Sequence, residues 1–330
     1  MNNPLCICIP THNRINKLRK SISHHAKLCI RHNLLLVVSD NASSDQTREL
    51  LVKLKEQYEW FDFIIQPKNI GPDANFNFVL KMGLKTGADY LWLVGDDDLI
   101  QPDALQTILK RLCVESPDLM IVNTRNQVKK ELPSSYTSPS NLLKDLSWHT
   151  TFISSLIFGA EAAIHGIKGN NLSRNFGHVF GVFTFLADQP IINVSWEQKI
   201  SITTIRLDNS LPSWFGSILD IFVSNWIKTI NCLPSEYSDE DKRIAIRSLW
   251  SQSSILNPKT IVFLIFRSDI NLKEFLSKKP ELKLVIGSQW FYFLIPAFLV
   301  PKFLSRKIAK FALNLYLKKR SNESSNFEKL

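Results

Sequence analysis

Three consecutive carboxylates, Asp96-Asp97-Asp98, follow the apolar run Tyr90–Val94 and are the strongest chemical feature of the sequence. Adjacent carboxylates raise one another's proton affinity, and a divalent cation reverses that penalty. Mg²⁺ or Mn²⁺ prefers carboxylate oxygens and keeps positions open for phosphate. If extended geometry persists through the cluster, Asp96 and Asp98 point one way and Asp97 the other. Asp96 and Asp98 are then the expected metal pair, spaced D-x-D. Such an ion neutralises a departing diphosphate, which is Lewis-acid help to displacement at carbon. The plainer alternative is a solvated acidic turn ahead of the helix that Pro102 opens.

Other residues could serve the same diphosphate. Arg14 and the dipeptide Pro10-Thr11 could supply a cation and backbone contacts. Asp40 only accepts hydrogen bonds when ionised, which suits recognition of a base N–H.

The elements that must position these groups are legible in the first 125 residues. Nearly continuous apolar runs occur at Leu5–Ile9, Leu34–Ser39, Phe63–Ile65, Tyr90–Val94 and Leu119–Val122. Helical spacing fills the intervals, at Asn16–Cys29, Asp45–Tyr58, Asp73–Lys85 and Pro102–Cys113. Short apolar strands alternating with helices predict a doubly wound α/β fold with a mostly parallel sheet. Ligands of such sheets bind beyond the carboxyl ends of the strands. Those ends carry Pro10–Arg14, Asp40–Asp45, Asn69–Gly71 and Gly95–Asp98, so four loops deliver polar groups to one edge. Residues 126–150 read as a loop. Asn175–Leu186 is predicted helical, Ile191–Val194 and Ile200–Ile205 as strands, and the chain beyond Leu211 as mainly helix.

Composition excludes several classes. With 45% hydrophobic and 21% charged residues the chain is globular rather than disordered. Its five cysteines show no C-x-x-C spacing, so a zinc site or disulfide framework is not expected; the chain reads as reduced and cytoplasmic, without a leader peptide. No G-x-G-x-x-G follows the first strand, against a dehydrogenase. A nucleotidyltransferase would ordinarily carry a Gly/Lys-rich loop there, and Thr11–Lys17 has no glycine.

The four motifs, Ile7–Arg14, Ser39–Thr47, Asn69–Gly71 and Gly95–Asp98, together resemble family 2 glycosyltransferases. The wording SDNASSDQT, NIGPDANF and GDDD is most similar to the abequosyltransferase-type O-antigen sugar transferases. The resemblance implies a GT-A fold, a nucleotide-sugar donor, a divalent metal and inversion at the anomeric carbon. By position it implies that Pro10, Thr11 and Arg14 line the nucleotide and that Asp40 reads the base. It further implies that Asp96 approaches the ribose, Asp98 holds the metal, and Asn69 and Gly71 shape the loop beneath the donor. Where many relatives have an Arg before the Asn at position 75, this chain has Ala74. The wider family's Glu-Asp base motif is also missing; His178 stands at roughly that place, with Asp97 and Asp188 as competing bases. A neutral His is a competent base near pH 7. Arg206, in a stretch resembling a donor-closing loop, is an expected phosphate contact.

The net charge of +10 is concentrated at the end of the chain: Leu282–Asn322 holds eight Lys or Arg and no Asp or Glu. A nucleic-acid enzyme would spread its basic residues around a cleft, so no nucleic-acid partner is expected. Leu284–Pro301 is 18 residues without a charge but contains two prolines. Lys302, Arg306 and Lys310 follow at helical spacing beside the stripe Leu304, Ile308, Phe311 and Leu315. That pattern predicts a helix lying on an anionic membrane surface.

The sequence thus predicts a donor half (1–125), an acceptor and catalytic half (126–210), and a helical, basic C-terminal region (211–330) with membrane attachment near 284–320. The expected reaction is inverting, metal-dependent sugar transfer to a lipid-linked saccharide acceptor at the inner membrane face. A nucleotidyltransferase and an inactive membrane-bound scaffold are the alternatives.

Overall fold

The computed structural model describes residues 4–168, 173–205, 213–253 and 255–327, with side chains described to 315. The chain divides into two compact units, Met1–Leu207 with Thr229–Lys242, and Asp208–Lys228 with Arg243–Leu330.

In the first unit the opening alternation is β1 (Leu5–Thr11), α1 (Ile15–His32), β2 (Leu35–Asp40), α2 (Thr47–Gln57), β3 (Phe61–Ile65), α3 (Pro72–Lys85) and β4 (Tyr90–Leu93). There follow β5 (Asp98–Ile100), α4 (Pro102–Glu115), β6 (Leu119–Thr124), β7 (Ser135–Tyr136), α5 (Pro139–Leu146), β8 (Leu156–Gly159), α6 (Ala160–Lys168), α7 (Gly177–Ala187) and β9 (Val194–Thr204). Among the described residues the strands form one sheet, ordered β3-β2-β1-β4-β8-β6-β9-β5, with β7 beside β9. Strands β1 to β4, β6 and β9 run one way; β5, β7 and β8 run antiparallel to their neighbours.

β1 explains this arrangement. Every residue of LCICIPT is buried, so the strand must be covered on both faces and flanked on both edges. β2 and β4 flank it. The chain leaves β1 toward β2 and returns from β3 to β4 on the far side, which makes the β1/β4 gap the topological switch point. The core beneath it joins Ile7, Ile9, Leu18, Trp92 and Val94 to Leu105 and Ile108 of α4.

The later elements depart from expectation. β5, β8 and α6 were not predicted, and residues 126–150 contain β7 and α5 rather than loop alone. The two short strands expected near 191–205 are one, β9. It is interrupted by irregular pairing, in which Val122 opposes Glu197 while the next residue, Asn123, opposes Ile200. Polar Glu197, Gln198 and Lys199 at this irregularity break the apolar run that would have marked a continuous strand.

The second unit is helical over its described residues: α8 (Trp226–Asn231, shared with the first unit), α9 (Asp239–Gln252, likewise shared), α10 (Pro258–Arg267), α11 (Leu272–Ser277), α12 (Lys279–Ile286), α13 (Ser288–Leu294) and α14 (Lys302–Phe327). Its core stacks Phe275 on Phe291 with ring centroids 5.0 Å apart.

Candidate active site

The acidic cluster lies at the switch point, but not in extended geometry. β4 ends at Leu93, and the Asp98 N–H donates to the Gly95 carbonyl at 3.0 Å, so Asp96 and Asp97 form a turn. Asp98 already belongs to β5, opposite Thr204 of β9. Strand alternation, the ground for pairing Asp96 with Asp98, therefore does not operate here.

Each carboxylate goes its own way. Asp96 (4% exposed) accepts from Thr11 Oγ1 at 2.7 Å and from Arg14 at 2.9 Å. Burial dominates its titration and lifts its pKa to about 6, although Arg14 and Thr11 pull the other way. Asp98 (5% exposed) accepts from Arg125 at 2.8 Å, Thr204 Oγ1 at 2.7 Å and Ser154 Oγ at 2.6 Å. Ser154 Oγ in turn accepts the Gly95 N–H at 2.8 Å. A Cβ at Gly95 would stand 3.1 Å from Asp98 Oδ2 and 3.5 Å from Ser154 Oγ, a tight approach to which one of these side chains would have to yield. Asp97 retains an open side chain, 22% exposed, facing Lys17 at 3.4 Å and Arg14 at 3.5 Å. Three carboxylates thus meet Arg14, Lys17 and Arg125.

Beside the cluster, three loops are knitted together. The Asn41 N–H donates to the Thr11 carbonyl at 2.9 Å, and the Asn41 side chain donates to Asn69 Oδ1 at 3.0 Å and accepts the Ile70 N–H at 2.8 Å. Gly71 has φ +85, a conformation that strains other residues, and its N–H donates to Asn69 Oδ1 at 2.9 Å. His12 and Asn69 meet at 3.1 Å. Asp40 ends β2 fully buried, with both the N–H and the hydroxyl of Ser43 donating to it. Burial raises its pKa, and the Ser43 hydrogen bonds oppose this. Asp40, Asn69 and Gly71 are thus on the expected edge, as are Thr11 and Arg14. Pro10 and Thr11 are both buried at the carboxyl end of β1.

A divalent ion at this turn needs carboxylate oxygens that remain open to it. Both oxygens of Asp98 and both of Asp96 already accept protein hydrogen bonds. Among the described residues no three His, Cys, Asp or Glu converge as a ligand set. Asp97 presents the most open carboxylate of the three to an Mg²⁺ or Mn²⁺ ion held together with phosphate oxygens and water.

Against this geometry, residues 6–166 match the family model for glycosyl transferase family 2. The chain carries a family 2 glycosyltransferase domain. The abequosyltransferase RfbV of Salmonella typhimurium is 28% identical over 221 residues, covering 64% of this chain and 59% of that protein. The match thus spans less than two thirds of its relative's length. Two solved structures share the fold. S. aureus TarS 1-349 in complex with UDP-GlcNAc has TM-score 0.58 and 12% identity, covering 94% of this chain and 92% of that one. The mannosyltransferase PcManGT of Pyrobaculum calidifontis, in complex with GDP-Man and Mn²⁺, has TM-score 0.53 and 13% identity, covering 93% and 88%. The fold is GT-A.

In this glycosyltransferase domain the expected bases separate. The Asn175 N–H, two residues ahead of α7, donates to Asp73 Oδ2 at 2.7 Å, and Asp73 opens α3 just beyond β3. α7 therefore begins at the carboxyl edge of the sheet. It runs roughly 16 Å and leads to Asn193, whose N–H donates to Asp118 immediately before β6. Asp188, at the end of α7, therefore lies at the amino edge, away from the acidic turn. His178 is on the correct side but buried: Nε2 donates to the Thr150 carbonyl at 3.1 Å, and Nδ1 is enclosed without a partner. Burial lowers its pKa to about 4. From this buried position its ring ties α7 to the 149–151 turn. Arg206 lies outside the described residues.

Four site residues escaped the sequence reading. Arg125 follows β6, so the strand-end rule applied once more would have found it. Lys17 is three residues from Arg14 on α1, a spacing that places both on one helix face. Ser154 carries no sequence signal, because the turn holding it was not foreseen; Thr204 lies in the expected Ile200–Ile205 strand, but nothing in that run marks its pairing with Asp98.

Proposed function

We propose that the protein transfers a sugar, with inversion, from a nucleoside-diphosphate sugar to a saccharide acceptor in the assembly of a surface polysaccharide of the O-antigen type. The observation that carries this reading is the Thr11–Asp96–Arg14 contact at the β1/β4 switch point, with Asp97 and Lys17 alongside. It supplies a buried carboxylate for sugar or ribose hydroxyls and, next to it, two cations and an open carboxylate for a diphosphate. Asp40, held by Ser43, accepts from the base, and the Asn41–Asn69–Gly71 loop supports the donor from below.

Departure of the nucleoside diphosphate builds negative charge, which Arg14 and Lys17 stabilise. A Mg²⁺ or Mn²⁺ ion held by Asp97 would add Lewis-acid neutralisation of the same charge. The acceptor proton must pass to a group at the carboxyl edge, the edge that carries Asp97 and Asp73 and not Asp188. The similarity to an abequosyltransferase supports a deoxyhexose donor class. The acceptor is proposed to be lipid-linked and presented at the inner face of the membrane.

Calorimetric titration with UDP, CDP, dTDP and GDP, with and without Mn²⁺, followed by a nucleotide-sugar hydrolysis screen, tests the reading. Metal-enhanced binding of one diphosphate and slow hydrolysis of its sugar are expected. Absence of binding to all four would overturn it.

A further inference from the structure

The second unit carries an apolar face that its own fold leaves uncovered. α14 packs through Ser305 and Ala309, both buried. Leu304, Ile308, Phe311 and Leu315 are all exposed. At about 100° per residue this stripe points away from the packed line. The element before it behaves alike: α13 buries Phe291 and Leu294 but exposes Trp290 and Phe293, whose rings meet at 5.4 Å. Between them stand Leu299, 77% exposed, and Phe303, 70% exposed. α13, the 295–299 turn and α14 all pack on α10, so these outcrops belong to one packed group of elements.

Charge decides what covers it. Lys302, Arg306 and Lys310 lie along a third line of α14. Lys283 donates to the Tyr292 hydroxyl at 3.0 Å, and Lys279 stands near the same ring. No acidic residue occurs in Leu282–Asn322. Two copies meeting here would oppose like charges, which is costly. Anionic headgroups above an acyl layer match exposed apolar residues set among cations with no carboxylate nearby in the sequence.

Nor does this segment cross a bilayer as one rod. It breaks at Gly287, with φ +82, and α12 meets the Ser288–Leu299 stretch at a bend of 116°. Among the described residues no single helix is long and apolar enough to span a membrane.

We propose that this face seats the protein on an anionic bilayer surface. Trp290, Phe293, Leu299 and Phe303 enter the headgroup–acyl boundary, and Lys302, Arg306 and Lys310 meet the headgroups. The inference deepens the lipid-linked acceptor reading but rests on the second unit alone.

The test is flotation of the full chain with vesicles of phosphatidylcholine alone or mixed with phosphatidylglycerol. Two variants accompany it, Phe293→Ser/Leu299→Ser/Phe303→Ser and Lys302→Gln/Arg306→Gln/Lys310→Gln, with nucleoside-diphosphate binding as the check on folding. The protein is expected to float with the mixed vesicles, each variant losing at least about tenfold in partitioning. Failure to float, or variants that float normally, overturns the proposal. So does an apolar variant that turns a dimer into a monomer in light scattering without changing flotation. Failure of the acceptor reading would show differently, as equal transfer to soluble and lipid-linked saccharides with flotation intact.

Discussion

Ser154 donates its hydroxyl to Asp98 at 2.6 Å while accepting the Gly95 N–H, so one serine closes both sides of the acidic turn. Asp98 also takes Arg125 from the end of β6 and Thr204 from β9. It is the clasp that holds the turn, and Asp97 is what the turn presents. The two aspartates should then fail in opposite ways. Asp98→Ala is expected to lower stability by about 2–4 kcal/mol, since it strips partners from several buried donors. Ser154→Ala should cost about 1 kcal/mol. Asp97→Asn should leave stability within about 0.5 kcal/mol but abolish the Mn²⁺ enhancement of diphosphate binding. Thermal denaturation and calorimetry on the same three variants separate the roles; a destabilised Asp97→Asn with intact metal enhancement would reverse them.

Arg14 and Lys17 both face Asp97, but only Arg14 also neutralises buried Asp96. Lys17→Ala should weaken diphosphate binding by about tenfold or less with little change in folding. Arg14→Ala should cost both affinity and stability, because it leaves Asp96 buried without its cation. Arg14→Lys is not expected to restore the wild type, since an ammonium cannot copy the guanidinium's planar geometry. Titration with the preferred nucleoside diphosphate and urea unfolding give the two readouts.

The parts of this site that the sequence displayed were those carried by uninterrupted β-α alternation. Leu5–Ile9 and Tyr90–Val94 are apolar enough to mark β1 and β4, and the polar residues after them lie at one edge in the structure. What the sequence concealed was set by pairing between distant segments. Asp98 reads as the third of three equal aspartates, yet its pairing with Thr204, far along the chain, makes it a strand residue. β8 enters antiparallel between β4 and β6, and Leu156–Gly159 is too short for its period to show. The placement of Asp188 depended on the direction of α7, which spacing alone does not give.

Asp73 and Asn175 fix that direction. The Asp73 carboxylate caps the approach to α7 from another element, so removing it should loosen the start of the helix. Asp73→Ala is expected to cost about 1 kcal/mol, with Asp73→Asn recovering much of it because an amide oxygen still accepts the Asn175 N–H. If the negative charge also takes part in transfer, Asp73→Asn would fold normally and turn over slowly. Asp188→Asn, at the opposite edge, should retain near-normal turnover. Turnover assays on these variants beside their melting curves test both placements.

The buried histidines predict an acid-labile fold. Burial lowers the pKa of His25 to about 3 and those of His149 and His178 to about 4. Each titrates near 6.5 when unfolded, so between about pH 6.5 and 4 the unfolded chain binds more protons than the native one. Stability supplied by the neutral rings is therefore complete above about pH 6.5 and is lost as pH falls toward 4. Asp96, raised to about 6, acts the other way: its protonation relieves a buried charge over roughly the same interval. Asp40 and Asp73, also raised by burial, act in the same sense as Asp96. The three histidines span the wider intervals, from about 6.5 down to about 3 and 4, so the net slope favours unfolding on acidification. Urea midpoints measured between pH 7.5 and 4.5 should fall steadily. In His178→Gln, whose amide can donate to the Thr150 carbonyl without titrating, the fall should be shallower while the pH profile of turnover keeps its shape. A turnover profile that lost its acidic limb in His178→Gln would instead return this histidine to the role of base.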